Sequence, residues 1–288
     1  MQKSIKNQKA FTMLELVFVI VILGIVSSIG AEIIADVYRS YILERATHRS
    51  SIKTELVANQ LLNRLTYSIY GTVIGRKTSD NSYRAINDLD DTDYDILEWI
   101  SYDNDSFSAK RTPGWSAFID LDTSTASTLD TKGSDLSITN NIIQNLGAND
   151  ISDSAIFFPG EYTAYNVGYD GGDNSGVTPL QATSSGTSMD VNVTGKIVTE
   201  HYKLGWSAYA LVPVDNGDGT FNLELYYGYQ PWQGETYSAD GQHQTLVKNV
   251  SVFKFMGSDN TIRFKICQRE RITNDRNITL CKEKAVIR

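Results

Sequence analysis

Residues Leu16 to Val26 read LVFVIVILGIV, apolar throughout except for Gly24. The apolar stretch from Phe11 to Ala31 is about 21 residues, the length a helix needs to cross a bilayer at roughly 1.5 Å per residue. No second segment of the chain has this character. Three lysines, Lys3, Lys6 and Lys9, precede it in a short polar leader, and one acid, Glu15, stands near its start. Lysines on one flank keep that flank cytoplasmic, so the bulk of the chain is expected to face outward. The acid needs a separate account. A carboxylate inside a membrane segment costs on the order of 2.5–3.5 kcal/mol on insertion scales and usually has a partner. No basic residue lies between Lys9 and Arg39. Cleavage between Ala10 and Phe11 would create an α-amine at Phe11, with a pKa near about 8. Carried by a neighbouring copy, that cation would neutralise Glu15.

The run Lys9-Ala10-Phe11-Thr12-Met13-Leu14-Glu15-Leu16 resembles the class III signal of type IV pilins and type II secretion pseudopilins: a basic leader ending in a small residue, then Phe-Thr-Leu-hydrophobic-Glu and a long apolar helix. Ala10 replaces the more usual Gly and Met13 the more usual Leu. The resemblance covers about 30 residues and implies an export route and an assembly mode. It implies a prepilin peptidase that cuts between Ala10 and Phe11 and methylates the Phe11 amine. It also implies other pilin or pseudopilin subunits as partners through their N-terminal helices, and an inner-membrane location before assembly. Three other readings of the stretch stand beside it: an ordinary secretory signal cut after Ser28-Ile29-Gly30, a plain membrane anchor, and a capping box in which Thr12 and Glu15 only start a helix.

The chain of 288 residues carries a formal charge of −8, and loss of the three leader lysines makes it more acidic. That balance argues against nonspecific nucleic-acid binding. Apolar residues continue at helical spacing through Ile34, Tyr38, Tyr41 and Ile42 to Ile52, Leu56, Leu62, Leu65 and Ile69, predicting one helix from Phe11 to about Ile69. The expected organisation is a leader (1–10), a membrane or fibre-core segment (11–31), an amphipathic continuation (32–70), a variable polar head (71–196) and a C-terminal β region (197–288). The expected fold class is α+β: a pilin-like long N-terminal helix, its first half membrane-embedded, packed on a C-terminal antiparallel sheet with a large variable loop region.

Asp88, Asp90, Asp91, Asp93, Asp95 and Glu98 crowd one stretch and read as a solvated acidic loop, with Ile96, Leu97, Trp99 and Ile100 at its end as a short strand or turn. The stretch lacks the ordered spacing of a calcium loop. Residues 115–121 alternate as a strand, 197–201 is a strand candidate, and Ala155–Phe158 reads as a buried strand. Ser134-Asp135 caps a short helix ending at Gly147. The glycine-rich loop from Tyr169 to Gly176 makes Asp170 and Asp173 calcium candidates; no other cofactor is expected. Asp215-Asn216-Gly217-Asp218-Gly219 joins strands 207–213 and 221–229 as a hairpin. Leu246 to Phe255, followed by the alternating strand Thr261–Cys267, resembles the C-terminal part of J-type minor pseudopilins, whereas the K-type typically lacks the acid found here at Glu15.

Strands 261–269 and 277–287, folded about Asn274, would set Cys267 opposite Cys281, and an exported segment sits in an oxidising compartment. The three histidines are scattered, no HExxH, G-x-S-x-G or P-loop occurs, and no nucleophile–base pair stands out. No catalytic residue is assigned, and a non-enzymatic, assembling subunit is expected.

Overall fold

The computed structural model describes residues 12–89, 93–108, 111–160, 167–273 and 276–287. Helix α1, Met13–Thr66, runs for 54 residues, about 15 turns. Strands β1 (Ile74–Arg76), β2 (Tyr83–Ala85) and β3 (Ile96–Ser101) follow it. Next come α2 (Asn104–Phe107), β4 (Thr128–Asp130), α3 (Leu136–Leu146), β5 (Ala155–Phe157), β6 (Val177–Pro179), β7 (Ser188–Asp190) and β8 (Lys203–Gly205). The chain ends in β9 (Ser207–Asp215), β10 (Phe221–Tyr229), β11 (Gln242–Ser258), β12 (Thr261–Thr273) and β13 (Arg276–Ile287). The expected α+β class is observed: a long N-terminal helix followed by an antiparallel sheet of order β13-β12-β11-β10-β9-β3-β1-β2. The sheet therefore draws three strands from residues 74–101, upstream of the region expected to build it.

Two compact units divide the chain. One holds the N-terminal part of α1 through Arg49 together with Arg271–Ile278; the other holds Ser50–Glu270 and the residues from Thr279 on. In the second unit, Val57, Ala58, Leu61 and Leu65 of α1 pack against Leu97, Trp99, Leu211, Leu223, Phe264 and Ile266 of the sheet. These helical positions recur at i, i+4 and i+8 from one face, and Ser50 and Thr54 extend that face as buried polar residues. This corrects the phase of the expected stripe. Ile52 and Leu56 are 47% and 57% exposed, because they sit about half a turn away from Ser50 and Thr54. Leu62 is only partly buried, and Ile69 is buried but lies beyond the helix.

The insertion between β3 and β9 has its own core, with Trp115, Ile143, Ile156, Met189 and Leu204 among its buried members. Helix α3 starts as expected: the Asp135 carboxylate accepts from Ser137 N, and Gly147 closes the helix at φ 119°, a backbone region that disfavours other residues. Two expected strands do not form. Residues 115–121 make only isolated bridges, Phe118 to His201 and Asp120 to Asp130, because Ala117 at φ 61° breaks the extended run. Residues 197–201 contribute only the His201 bridge; Ile197 is exposed, and the strand begins instead at Lys203.

The hairpin of β9 and β10 turns where expected: the Asp215 side chain accepts from Gly217 N, and Gly217 has φ 77°. Strands β12 and β13 are neighbours in the sheet, and Cys267 and Cys281 are joined as a disulfide; Asn274, the expected centre of their turn, lies outside the described residues. Lys282 and Lys284 of β13 reach Glu55 of α1 at 3.2 and 2.7 Å, and hydrogen bonds from Lys284 and then Lys282 hold the Glu55 carboxyl below its ordinary range. The disulfide closes a span of 14 residues. Its loss through Cys281→Ser is expected to cost about 3 kcal/mol in chemical denaturation. Recovery of both cysteines as free thiols from the native protein would overturn this expectation.

Candidate functional site

The N-terminal turn is built by the sequence around Glu15. Thr12 precedes α1 and acts as its N-cap: its carbonyl accepts from Glu15 N at 3.0 Å and from Leu16 N at 3.2 Å. Its hydroxyl accepts from Glu15 N and donates to Glu15 Oε2, both at 3.4 Å. The capping half of the Thr12–Glu15 pattern is thus formed. It leaves the carboxylate exposed, and Glu15 makes no salt bridge among the described residues. Around it, Met13, Leu14, Leu16, Val17, Phe18 and the apolar residues that follow are more than half exposed, and Gly24 and Gly30 have open space at the place of a Cβ. Helix α1 is the one helix among the described residues long and apolar enough to cross a membrane, and its apolar window is wholly unburied. The described residues of one copy therefore present an apolar surface with an acid at one end that makes no salt bridge among them. Ala10 and Phe11, the expected cleavage and methylation positions, lie outside the described residues.

The other expected site residues fall apart. The acidic stretch is not one solvated loop. Asp90 and Asp91 lie outside the described residues, and Asp95 accepts from the amide and hydroxyl of Thr78 at 2.9 and 2.7 Å. Glu98 is buried on β3. Of the calcium candidates, Asp173 caps Ser175 through its amide and hydroxyl, while Asp170 pairs with Arg76 Nη1 at 2.5 Å. The two carboxylates are thereby committed to different partners.

What sequence reading missed is a buried charge cluster. Arg76 and Glu98, with side chains 1% and 2% exposed, meet through Nε and Nη2 to Oε2 at 3.0 and 2.9 Å. Tyr229 donates to Glu98 Oε1 at 2.6 Å, and Arg76 Nη1 also donates to the Asn81 carbonyl at 3.0 Å. The rings of Tyr83 and Tyr237 lie 5.0 and 5.9 Å from the guanidinium. Burial works against the Arg76 charge, but Glu98 and Asp170 more than offset it and hold its pKa above the ordinary value. Burial pushes the Glu98 carboxyl up, and Arg76 pulls it back part of the way. A signal for this pair was present in the sequence: Arg76 closes the apolar run Val73-Ile74-Gly75, and Glu98 interrupts Ile96-Leu97-Glu98-Trp99-Ile100. The cluster joins β1, β3, β10 and the turn at Asp170, so its geometry is that of a structural tie. Among the described residues no group of three or more His, Cys, Asp or Glu is arranged to hold a metal ion.

No curated protein and no solved structure matches the chain. Residues 5–31 match the family model for the prokaryotic N-terminal methylation motif. That match takes in the second half of the leader, the Thr12 cap, Glu15 and the start of α1, and it fits a membrane-anchored pilin. The chain carries the class III signal of the type IV pilin and pseudopilin family, set on a long apolar helix that leads into an antiparallel sheet.

Proposed function

We propose that the protein is a minor pilin-like subunit of a type II secretion pseudopilus, with J-like character, that primes or decorates the fibre tip and supports protein export. The observation that carries this reading is the exposed Glu15 carboxylate, set within the apolar surface of α1 and without a salt bridge among the described residues. In an assembly the Phe11 amine of a neighbouring subunit supplies the missing cation, and the exposed apolar faces of the helices bury one another. The role is mechanical and draws on no catalytic group or cofactor. The lysine-bearing leader stays cytoplasmic, a prepilin peptidase cuts and methylates at Phe11, and the head lies in the periplasm. The resemblance of residues 246–267 to J-type minor pseudopilins supports the secretion branch over the pilus branch.

Mass spectrometry of the mature protein is expected to give a chain of 278 residues beginning at N-methylated Phe11. A start after Gly30 would replace this reading with an ordinary secretory signal. A deletion strain is expected to lose secretion of exported proteins while keeping twitching. The opposite pattern would make the protein a minor type IV pilin, acting in adhesion, motility or DNA uptake. A phenotype indifferent to loss of the assembly ATPases would leave a tethered periplasmic binding module or enzyme.

A further inference from the structure

We propose that the cleft where the C-terminal end of α1 meets β3, β9, β10 and α2 binds a neutral saccharide ring. This stands apart from the assembly role, which uses the opposite end of α1. The cleft encloses about 340 Å³, at the lower end of the range for small-molecule sites. It lies where the insertion leaves the main sheet.

Its lining is rich in aromatic rings: Tyr67, Tyr102, Trp206, Tyr209 and Tyr227. Beside them stand four planar polar side chains, Arg64, Asp103, Asn104 and Asp105, with Ser101, Ser207 and Leu146 as the rest of the lining. Arg64 stands 5.6 Å from the Tyr209 ring centroid and is exposed, as is Asp105. Asp103 is 4% exposed; its Oδ1 accepts from Ser106 N, whereas its Oδ2 is buried and has no hydrogen-bond partner among the described residues. Burial pushes this carboxyl up.

The mixture selects the ligand class. An anion meets Asp105, a cation meets Arg64, and a purely apolar molecule would desolvate Arg64, Asn104 and Asp105 without replacing their hydrogen bonds. A hydroxyl-rich ring avoids each of these costs. Its hydroxyls donate to Asp105 and accept from Arg64 and Asn104, and its C–H face lies on an aromatic ring.

The test uses the mature full-length chain in a polyoxyethylene detergent, because alkyl glycosides would present a sugar of their own. Saturation-transfer NMR is run with glucose, galactose, mannose and N-acetylglucosamine, and with choline and acetate as charged controls. Transfer to the ring protons of at least one sugar is expected. Asp105→Asn and Tyr227→Ala are each expected to weaken it about tenfold or more, the loss of one charge-assisted hydrogen bond or one stacking face. Asp105 is exposed, so its variant remains informative even if Tyr227→Ala fails to fold. Absence of transfer from every sugar, transfer that both variants leave unchanged, or preference for choline or acetate over all four sugars would each overturn the assignment.

Discussion

Arg76→Met is expected to lower the melting temperature by roughly 10 °C. The reason is that Glu98 is left without its cation in a place water does not reach: both side chains are essentially fully buried, and among the described residues Tyr229 is the side-chain donor left to the carboxylate once the guanidinium is gone. Breaking a buried pair from one side costs about 3–5 kcal/mol, and each kcal/mol shifts the midpoint of a domain this size by about 2–4 °C. Asp170 loses the same partner but is about a third exposed and turns to solvent at little cost. The double variant Arg76→Met/Glu98→Leu is expected to recover most of the loss, since the orphan charge goes with the pair.

The single variant also carries a pH signature. A buried carboxyl whose folded pKa lies above its unfolded value is neutral, and its folded state unpenalised, below the unfolded value; stability is lost as pH rises through the folded pKa. The direction for Glu98 is upward already in the intact protein, and without Arg76 the Tyr229 hydrogen bond is what remains against it. The Arg76→Met defect should therefore be large at neutral pH and shrink toward the ordinary carboxylate range near pH 4. Thermal melts across that interval decide the matter. A penalty below about 1 kcal/mol, flat in pH, would show that the cluster behaves as an exposed ion pair.

Glu15→Ala is expected to leave membrane insertion intact, or to improve it, since it removes a carboxylate that costs on the order of 2.5–3.5 kcal/mol in the apolar phase. Incorporation into fibres is expected to fall at least about tenfold, the equivalent of about 1.4 kcal/mol, because in the proposed assembly the Phe11 amine of each neighbour would lose its counter-charge. Glu15→Gln keeps the size and the helix-start geometry around Thr12, so a matching loss in that variant assigns the effect to charge rather than to capping. Fractionation of the membrane pool and of sheared fibres gives both quantities. Normal incorporation of both variants would remove the pairing argument, whatever the fate of the leader.

The two predictions sit on opposite sides of what the chain shows without its fold. Glu15 was legible because its neighbours in sequence are its neighbours in space: in a helix the covalent order places an acid within an apolar surface. The α3 caps, the Asp215–Gly219 turn and the Cys267–Cys281 pairing were legible for the same reason, each being settled within about 15 residues by backbone conformation or a short loop. The Arg76–Glu98–Asp170 cluster was not, since its members are separated by 22 and 94 residues and meet only through the pairing of β1 with β3 and the return of the turn at Asp170. The aromatic cleft likewise gathers residues from Arg64 to Tyr227 that share no local pattern.

The buried face of α1 shows the boundary between the two most clearly. Periodicity alone fixed that residues 50–66 form a helix with an apolar side, but Ile52 and Leu56 compete with Val57, Leu61 and Leu65 for the sheet. Which set wins depends on the surface offered by Leu97, Trp99, Phe264 and Ile266, and on Glu55 meeting Lys282 and Lys284. The sequence by itself determined the membrane-competent helix, the acid near its start and the local turns, because those follow from near-neighbour geometry and hydrophobicity. Tertiary structure alone decided which face is buried, which acids lose their water and where rings converge, because those depend on contacts that chain connectivity does not specify.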